Sequence, residues 1–305
     1  MPNKRSANQH NNLLSIIICS IDGRKFDFIS RNFKNLIANG PYEIIGIHDA
    51  QSLSEGYNRG ANQSSGSILI FCHDDIEIVS PDFEEKIRNH LSLYDIVGVA
   101  GTSRLANFEW ALSGQPHIHG VVTQTERDTN RLVVTIFGAE KPIIGDIQAL
   151  DGLFIAMRKE VFEMVKFDET SFDGFHGYDL DFTFSAFQAG FRLGVCSDIA
   201  VIHRSHGSYD NEWLKYRDRF MRKHHANIYA GEVGQNESMG IYVADKERIL
   251  AMMHPKILLY ATANIRALAA RKGTRKTYSG KNQPLAARLK SLLYRIIQGA
   301  PNRTP

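Results

Sequence analysis

His73-Asp74-Asp75 follows directly on the apolar run Ser67–Cys72 (SILIFC). Two carboxylates at the carboxyl end of a buried strand repel each other, and a bound cation relieves that repulsion. A hard divalent ion there would bridge to phosphate oxygens and neutralise their charge. The competing reading makes one Asp a cap of the next turn and the other a solvated charge. Asp179 and Asp181 lie in GFHGYDLDF, at the start of a helix whose dipole would stabilise either carboxylate. Positions two apart do not share a helix face, so the pair need not act together. Turned into a cleft, Asp179 could take a proton from a substrate hydroxyl. His203 and His206, in HRSHGS, follow the apolar stretch Ile199–Ile202. An imidazole just past a strand end can reach the same cation or serve as a structural hydrogen-bonder.

Two further groups flank these residues. Gly174, Gly177, Phe172, Phe175 and Tyr178 surround the Asp179 segment and fit either a flexible, sugar-stacking rim or the edge of a core. Asn58 and Asn62, in EGYNRGANQ, stand one helical turn apart on one face. They suit a ligand near the sheet edge or a plain polar helix surface.

The elements that must position these side chains alternate between strand and helix. Leu14–Cys19 is a continuous, Ile-rich run of buried-strand length. Phe26, Ile29, Phe33, Leu36 and Ile37 recur at helical spacing, and Gly40-Pro41 stops that helix. Tyr42–Ile47, Ser67–Cys72 and Ile96–Ala100 are predicted strands; Ser54–Ser64 and a segment from Ser80-Pro81-Asp82 to Leu93 are predicted helices. Such alternation predicts an α/β fold with a mainly parallel sheet and ligands at the strands' carboxyl ends. From Thr102 to Gly145 the pattern weakens, with Leu132–Phe137 the single predicted strand, so this stretch reads as an insertion or hairpin excursion. Regular signals resume with a strand at Leu153–Met157 and a short helix near Glu160–Val165. A helix from Tyr178 to Ala189 and strands near Arg192–Cys196 and Ile199–Ile202 follow. Beyond Ser208 the chain reads as helical and basic.

Composition narrows the class. The 305 residues are 43% apolar and 23% charged, which excludes disordered and fibrous readings. The net charge of +3 hides a division: residues 1–247 hold 24 basic and 33 acidic side chains, a balance of −9, while residues 248–305 hold 12 basic and none acidic. An anionic surface is therefore a partner for the tail alone. Within it Leu285, Leu289, Leu292, Leu293, Ile296 and Ile297 line one face of a basic helix over 283–298. That helix suits peripheral membrane contact, packing on the body or a second subunit. No apolar run is long enough to span a bilayer or to act as a secretory leader. Cys19, Cys72 and Cys196 form no C-x-x-C, and buried free thiols in a reducing, cytoplasmic setting fit them best. Dinucleotide, P-loop and nucleophile-elbow motifs are absent, and no nucleic-acid partner is expected.

Taken in order, GYNRGANQSSGSILIFCHDD, LDGLFIAMRKEVF, FDETSFDGFHGYDLDFTFSAFQAGFRL and VIHRSHGS resemble the family 2-type glycosyltransferases with the GT-A fold. The resemblance covers residues 14–208. It implies a polar arm at 1–13 and a transferase domain at 14–208, with a nucleotide-binding half at 14–101, an excursion at 102–146 and an acceptor half at 147–208. A helical basic extension at 209–305 would follow.

By that resemblance Asp75 and His203 would hold Mn²⁺ or Mg²⁺, and Asp74 would lie by the sugar or ribose. Ser20, Asp49, Asn58 and Asn62 would contact the nucleotide sugar, UDP-linked in the first instance. Asp179 would be the catalytic base, with Asp151, Gly152, His176 and Tyr178 on the acceptor side. Three positions depart from the family pattern: His73 stands where Asp is common, Tyr178 replaces a Glu, and His48-Asp49 is a loose version of Asp-Asp-Gly-Ser. The implied activity is inverting sugar transfer to a glycan or lipid-linked hydroxyl, in the cytoplasm or on the cytoplasmic face of a membrane. The competing classes are a catalytically silent sugar- or nucleotide-binding module and a metal-dependent phosphohydrolase.

Overall fold

Three consecutive isoleucines, Ile16–Ile18, stiffen Leu14–Cys19 into β1, a strand buried on both faces. The computed structural model describes residues 12–37, 40–126, 129, 131–205 and 211–272. After β1 come α1 (Gly23–Leu36), β2 (Tyr42–Ile47), α2 (Leu53–Gln63) and β3 (Ile68–Cys72). Asp22 caps α1 by accepting from the Arg24 N–H, and Ser52 caps α2 by accepting from the Glu55 N–H. Next are β4 (Ile76–Ile78), α3 (Phe83–Leu93), β5 (Ile96–Gly98) and β6 (Ala100–Thr102). The hairpin β7 (Ile118–Thr125) and β8 (Leu132–Gly138) leads to β9 (Ile143–Ile147), β10 (Ala149–Leu150) and β11 (Phe154–Arg158). Then follow α4 (Lys159–Met164), α5 (Tyr178–Gln188), β12 (Leu193–Cys196), β13 (Val201–His203) and α6 (Asn211–His224). The last described elements are β14 (Met239–Val243), α7 (Lys246–Met252) and α8 (Pro255–Lys272).

The first sheet has seven strands in the order β2-β1-β3-β11-β5-β12-β9. β1, β2, β3, β5 and β12 share one direction, and β11 and β9 oppose it. This is the mixed, mainly parallel sheet flanked by helices that the strand–helix alternation predicts. Two pairings set the functional geometry. β11 runs antiparallel to β3 with Phe154 opposite Cys72, so residues 151–153 lie beside His73. β13 runs antiparallel to β4 with His203 opposite Ile76, which brings His203 alongside Asp75.

A second sheet runs β10-β6-β7-β13-β4, with β8 on β7 and β14 on β8. The two sheets together correct the sequence reading in three places. The predicted strand Ile96–Ala100 is two strands, β5 and β6, one in each sheet. The stretch 102–146 carries β7 and β9 as well as the predicted strand, because cross-strand pairing holds segments whose His, Gly and Thr residues break the apolar pattern. The segment expected to be helical beyond Ser208 includes β14, in which Met239, Ile241 and Val243 are buried and alternate with exposed residues. These three pack with Val134 and Ile136 of β8 and with Ile249, Ile257 and Ala261 of α7 and α8 to make a second apolar core. No described helix is long and apolar enough to cross a membrane. His206 and the basic helix expected at 283–298 lie outside the described residues.

Candidate active site

His73, Asp75 and His203 bring one ligand atom each to within 4.8 Å of the others. Nε2 of His203 lies 3.5 Å from Oδ1 of Asp75, and the His73 and His203 rings are 5.7 Å apart. The strand pairings above make this cluster from residues 130 positions apart in the chain. It fits a divalent cation on two grounds. Oδ1 of Asp75 is buried with no hydrogen-bond partner among the described residues, a costly arrangement unless something else neutralises it. Two imidazoles and a carboxylate are a donor set that transition metals accept. Burial works against ionising Asp75, but His203 and Ser205 outweigh it and hold the carboxyl well below the usual carboxylate range. Burial, and next the neighbouring His203, push the His73 imidazole towards its neutral form, the form that ligates metal.

Asp179 stands in the first turn of α5, across Tyr178 from the cluster. The helix starts at Gly177, whose φ of +75° is the left-handed region and whose absent Cβ would strike the Phe108 ring at 2.4 Å. Gly152 is held still closer: a Cβ there would meet the Tyr178 hydroxyl at 2.3 Å and Cβ of Asp179 at 2.8 Å. That proximity lets the Gly152 N–H donate to Oδ2 of Asp179 at 2.7 Å. Asp151 turns its carboxylate the other way, accepting from Nε1 of Trp110 at 2.8 Å and from the Leu153 N–H at 2.9 Å. Burial, reinforced by the Asp151 charge, raises the Asp179 carboxyl from 3.8 to about 7. A carboxylate of that basicity is suited to general-base work near neutral pH.

Two cavities meet at this point. A cavity of about 250 Å³ is lined by Ser20, Ile47, Tyr57, His73, Asp74 and Asp75. A larger one of about 540 Å³ is lined by His73, Asp151, Gly152, Tyr178, Asp179 and His203 and runs out over the second sheet. His73 and Phe175 line both. In the smaller cavity Asp74 is 2.7 Å from the Ser20 hydroxyl and 3.6 Å from Nζ of Lys25.

The structure brings Ser20, Asp74, Asp75, Asp151, Gly152, His176, Tyr178, Asp179 and His203 to the walls of these cavities. Asp49 stays on the surface, its side chain 77% exposed and paired with Arg59 at 2.9 Å. Asn58 lines neither of these two cavities; its amide donates to the Phe167 carbonyl at 2.9 Å and to Glu169 at 3.0 Å, and its Oδ1 accepts from the Phe167 N–H. Asn62 is exposed one turn further along α2. The two asparagines share a helix face as predicted, but that face meets the 167–169 loop and solvent. Asp181 is buried and accepts from His224 at 2.7 Å and Lys223 at 2.9 Å, which joins α5 to α6. His73 was legible only as a departure from an Asp, and nothing in the irregular stretch around Trp110 or in α6 around Trp213 marked the two tryptophans as cavity walls.

The model of a glycosyltransferase-like family matches residues 15–224, ending at the helix that carries Lys223 and His224. No curated protein matches the chain. Among solved structures, a mannosyltransferase from Pyrobaculum calidifontis in complex with GDP-Man and Mn²⁺ is 10% identical. The alignment covers 95% of this chain and 81% of that one, at a TM-score of 0.46. TarS residues 1–349 from S. aureus, in complex with UDP-GlcNAc, is 11% identical, with 94% and 81% covered and a TM-score of 0.45.

Proposed function

Because the chain belongs to this glycosyltransferase-like family, we propose that it moves a sugar from a nucleotide-diphosphate donor to a hydroxyl of an acceptor, using a divalent cation. The observation that carries the reading is the meeting of two cavities at His73, with Asp75 on the wall of the smaller and with His203 and Asp179 on the wall of the larger. The smaller cavity takes the donor, where Ser20 and Asp74 suit hydroxyl groups and Lys25 suits a phosphate. His73, Asp75 and His203 would hold the cation, which when bound neutralises charge on the leaving diphosphate. The two imidazoles favour Mn²⁺ over Mg²⁺, whose sites are built from oxygen.

The larger cavity takes the acceptor. Asp179 accepts the proton of the attacking hydroxyl as the new glycosidic bond forms and the bond to the diphosphate breaks. A single displacement of this kind inverts the anomeric centre. The Gly152 N–H fixes the orientation of the Asp179 carboxylate, and Asp151 keeps it basic.

Thermal stabilisation by a panel of UDP- and GDP-sugars, each with Mn²⁺, with Mg²⁺ or with EDTA, tests this reading. One donor should raise the melting temperature with Mn²⁺ and not with EDTA, and Asp75→Asn should abolish the shift. Equal stabilisation in EDTA would remove the cation and the role of His203 with it.

A further inference from the structure

The wall of the larger cavity is rich in aromatic side chains. Phe108, Trp110, Phe137, Phe175 and Trp213 all line it. They are held as a set: Phe108 packs on Trp213 with centroids 5.2 Å apart, and Trp110 meets Phe137 edge-on at 4.9 Å. Between them stand Gln124, Thr135, Asn236 and Ser238, all neutral and all able to hydrogen-bond. The acidic residues on the wall are Glu109, Asp151 and Asp179, the histidines are His73, His176 and His203, and no Lys or Arg lines the cavity among the described residues. Nearby cations are committed elsewhere. Arg104 stacks over Tyr229, Arg219 reaches Asp173 at 2.6 Å, and Lys223 reaches Asp168 and Asp181.

A saccharide ring matches this surface on both counts, offering an apolar face of C–H groups to the aromatics and hydroxyls to the amides and carboxylates. A phosphate or carboxylate on the acceptor does not, because it would enter beside Glu109 and Asp151 with no Lys or Arg among the described residues to receive it, the cation proposed at His73, Asp75 and His203 being engaged by the donor's diphosphate. Resting on the transfer reading above, we infer that the acceptor is an uncharged saccharide. The part of it that enters the cavity then carries no phosphate, uronate or other anionic group, and the anionic partner of the reaction is confined to the donor side, where Lys25 stands.

Two readouts test this. Both tryptophans of the chain, Trp110 and Trp213, line the cavity, so intrinsic fluorescence reports its occupation without any turnover. Mixed oligosaccharides are separated by anion exchange into neutral and acidic pools. Each pool is offered to the full-length protein with Mn²⁺ and the radiolabelled donor identified by thermal shift. Label should pass to the neutral pool, which should also perturb the tryptophan emission, and Trp213→Ala should raise the acceptor KM about tenfold with donor KM unchanged. Label in the acidic pool, or in neither pool while the donor still stabilises the protein, overturns the inference and leaves the transfer reading standing. Failure of every donor to bind overturns both.

Discussion

The hydroxyl of Tyr178 lies 2.9 Å from Nε2 of His73. The same hydroxyl is 3.3 Å from the Gly152 carbonyl oxygen, an acceptor that only a donated proton can satisfy. The network therefore places the imidazole proton on Nε2, donated to the Tyr178 oxygen, and the tyrosine proton on the Gly152 carbonyl. Nδ1 of His73 keeps its lone pair for a cation. Tyr178 and His73, two positions read from the sequence as departures from the pattern the chain resembles, thus complement each other.

Tyr178→Phe keeps the ring packing and deletes this hydrogen bond. Mn²⁺ affinity of the donor-free protein, measured by calorimetry, should fall roughly 10- to 100-fold, the usual effect of losing the partner that orients a ligating histidine. Unchanged affinity would remove Tyr178 from the support of the metal site.

Asp179 imposes a pH dependence on stability. Its carboxyl rises from 3.8 to about 7 on folding, so between those values the folded protein holds a proton that the unfolded chain has lost. Stability then falls as pH rises through this window, by at most about 4 kcal/mol. Asp179→Asn removes the effect and keeps an oxygen for the Gly152 N–H. The variant should melt above the wild type at pH 8 and close to it at pH 4; the same difference at both values would show that ionisation is not the cause.

Asp181 has a structural part. Replacing it with Asn leaves Lys223 without one of its carboxylates and His224 without its anionic acceptor, at a cost of roughly 3 kcal/mol. Urea unfolding should show that loss, while donor KM in the folded enzyme stays near the wild-type value. A stable but inactive Asp181→Asn protein would mean that Asp181, and not Asp179, serves the reaction.

What was legible follows from the kind of signal each residue gives. Unbroken β-branched runs such as Ile16–Ile18 can hardly be anything but buried strand, so the first sheet, its edge strand β9 excepted, and the chain's likeness to its family were readable. Much of the second sheet was not, because β7 and β14 have weak local patterns and are held by pairing with β8, β14 from far along the chain. His203 could be placed near Asp75 by resemblance, but its 3.5 Å approach depends on the β13–β4 register, which no local pattern contains. The spacing of Asn58 and Asn62 gives a shared helix face and says nothing of what that face meets. It meets Phe167 and Glu169.

The central claim, that Asp179 takes the acceptor proton beside a metal-held donor, is tested most directly by the turnover of Asp179→Asn at saturating donor, followed as nucleoside diphosphate release. Donor affinity should be unchanged and the rate lower by roughly 10² to 10⁴, with the wild-type rate rising through an ionisation near pH 7 that the variant lacks. An Asp179→Asn enzyme that turns over at close to the wild-type rate, with the same pH profile, would contradict it.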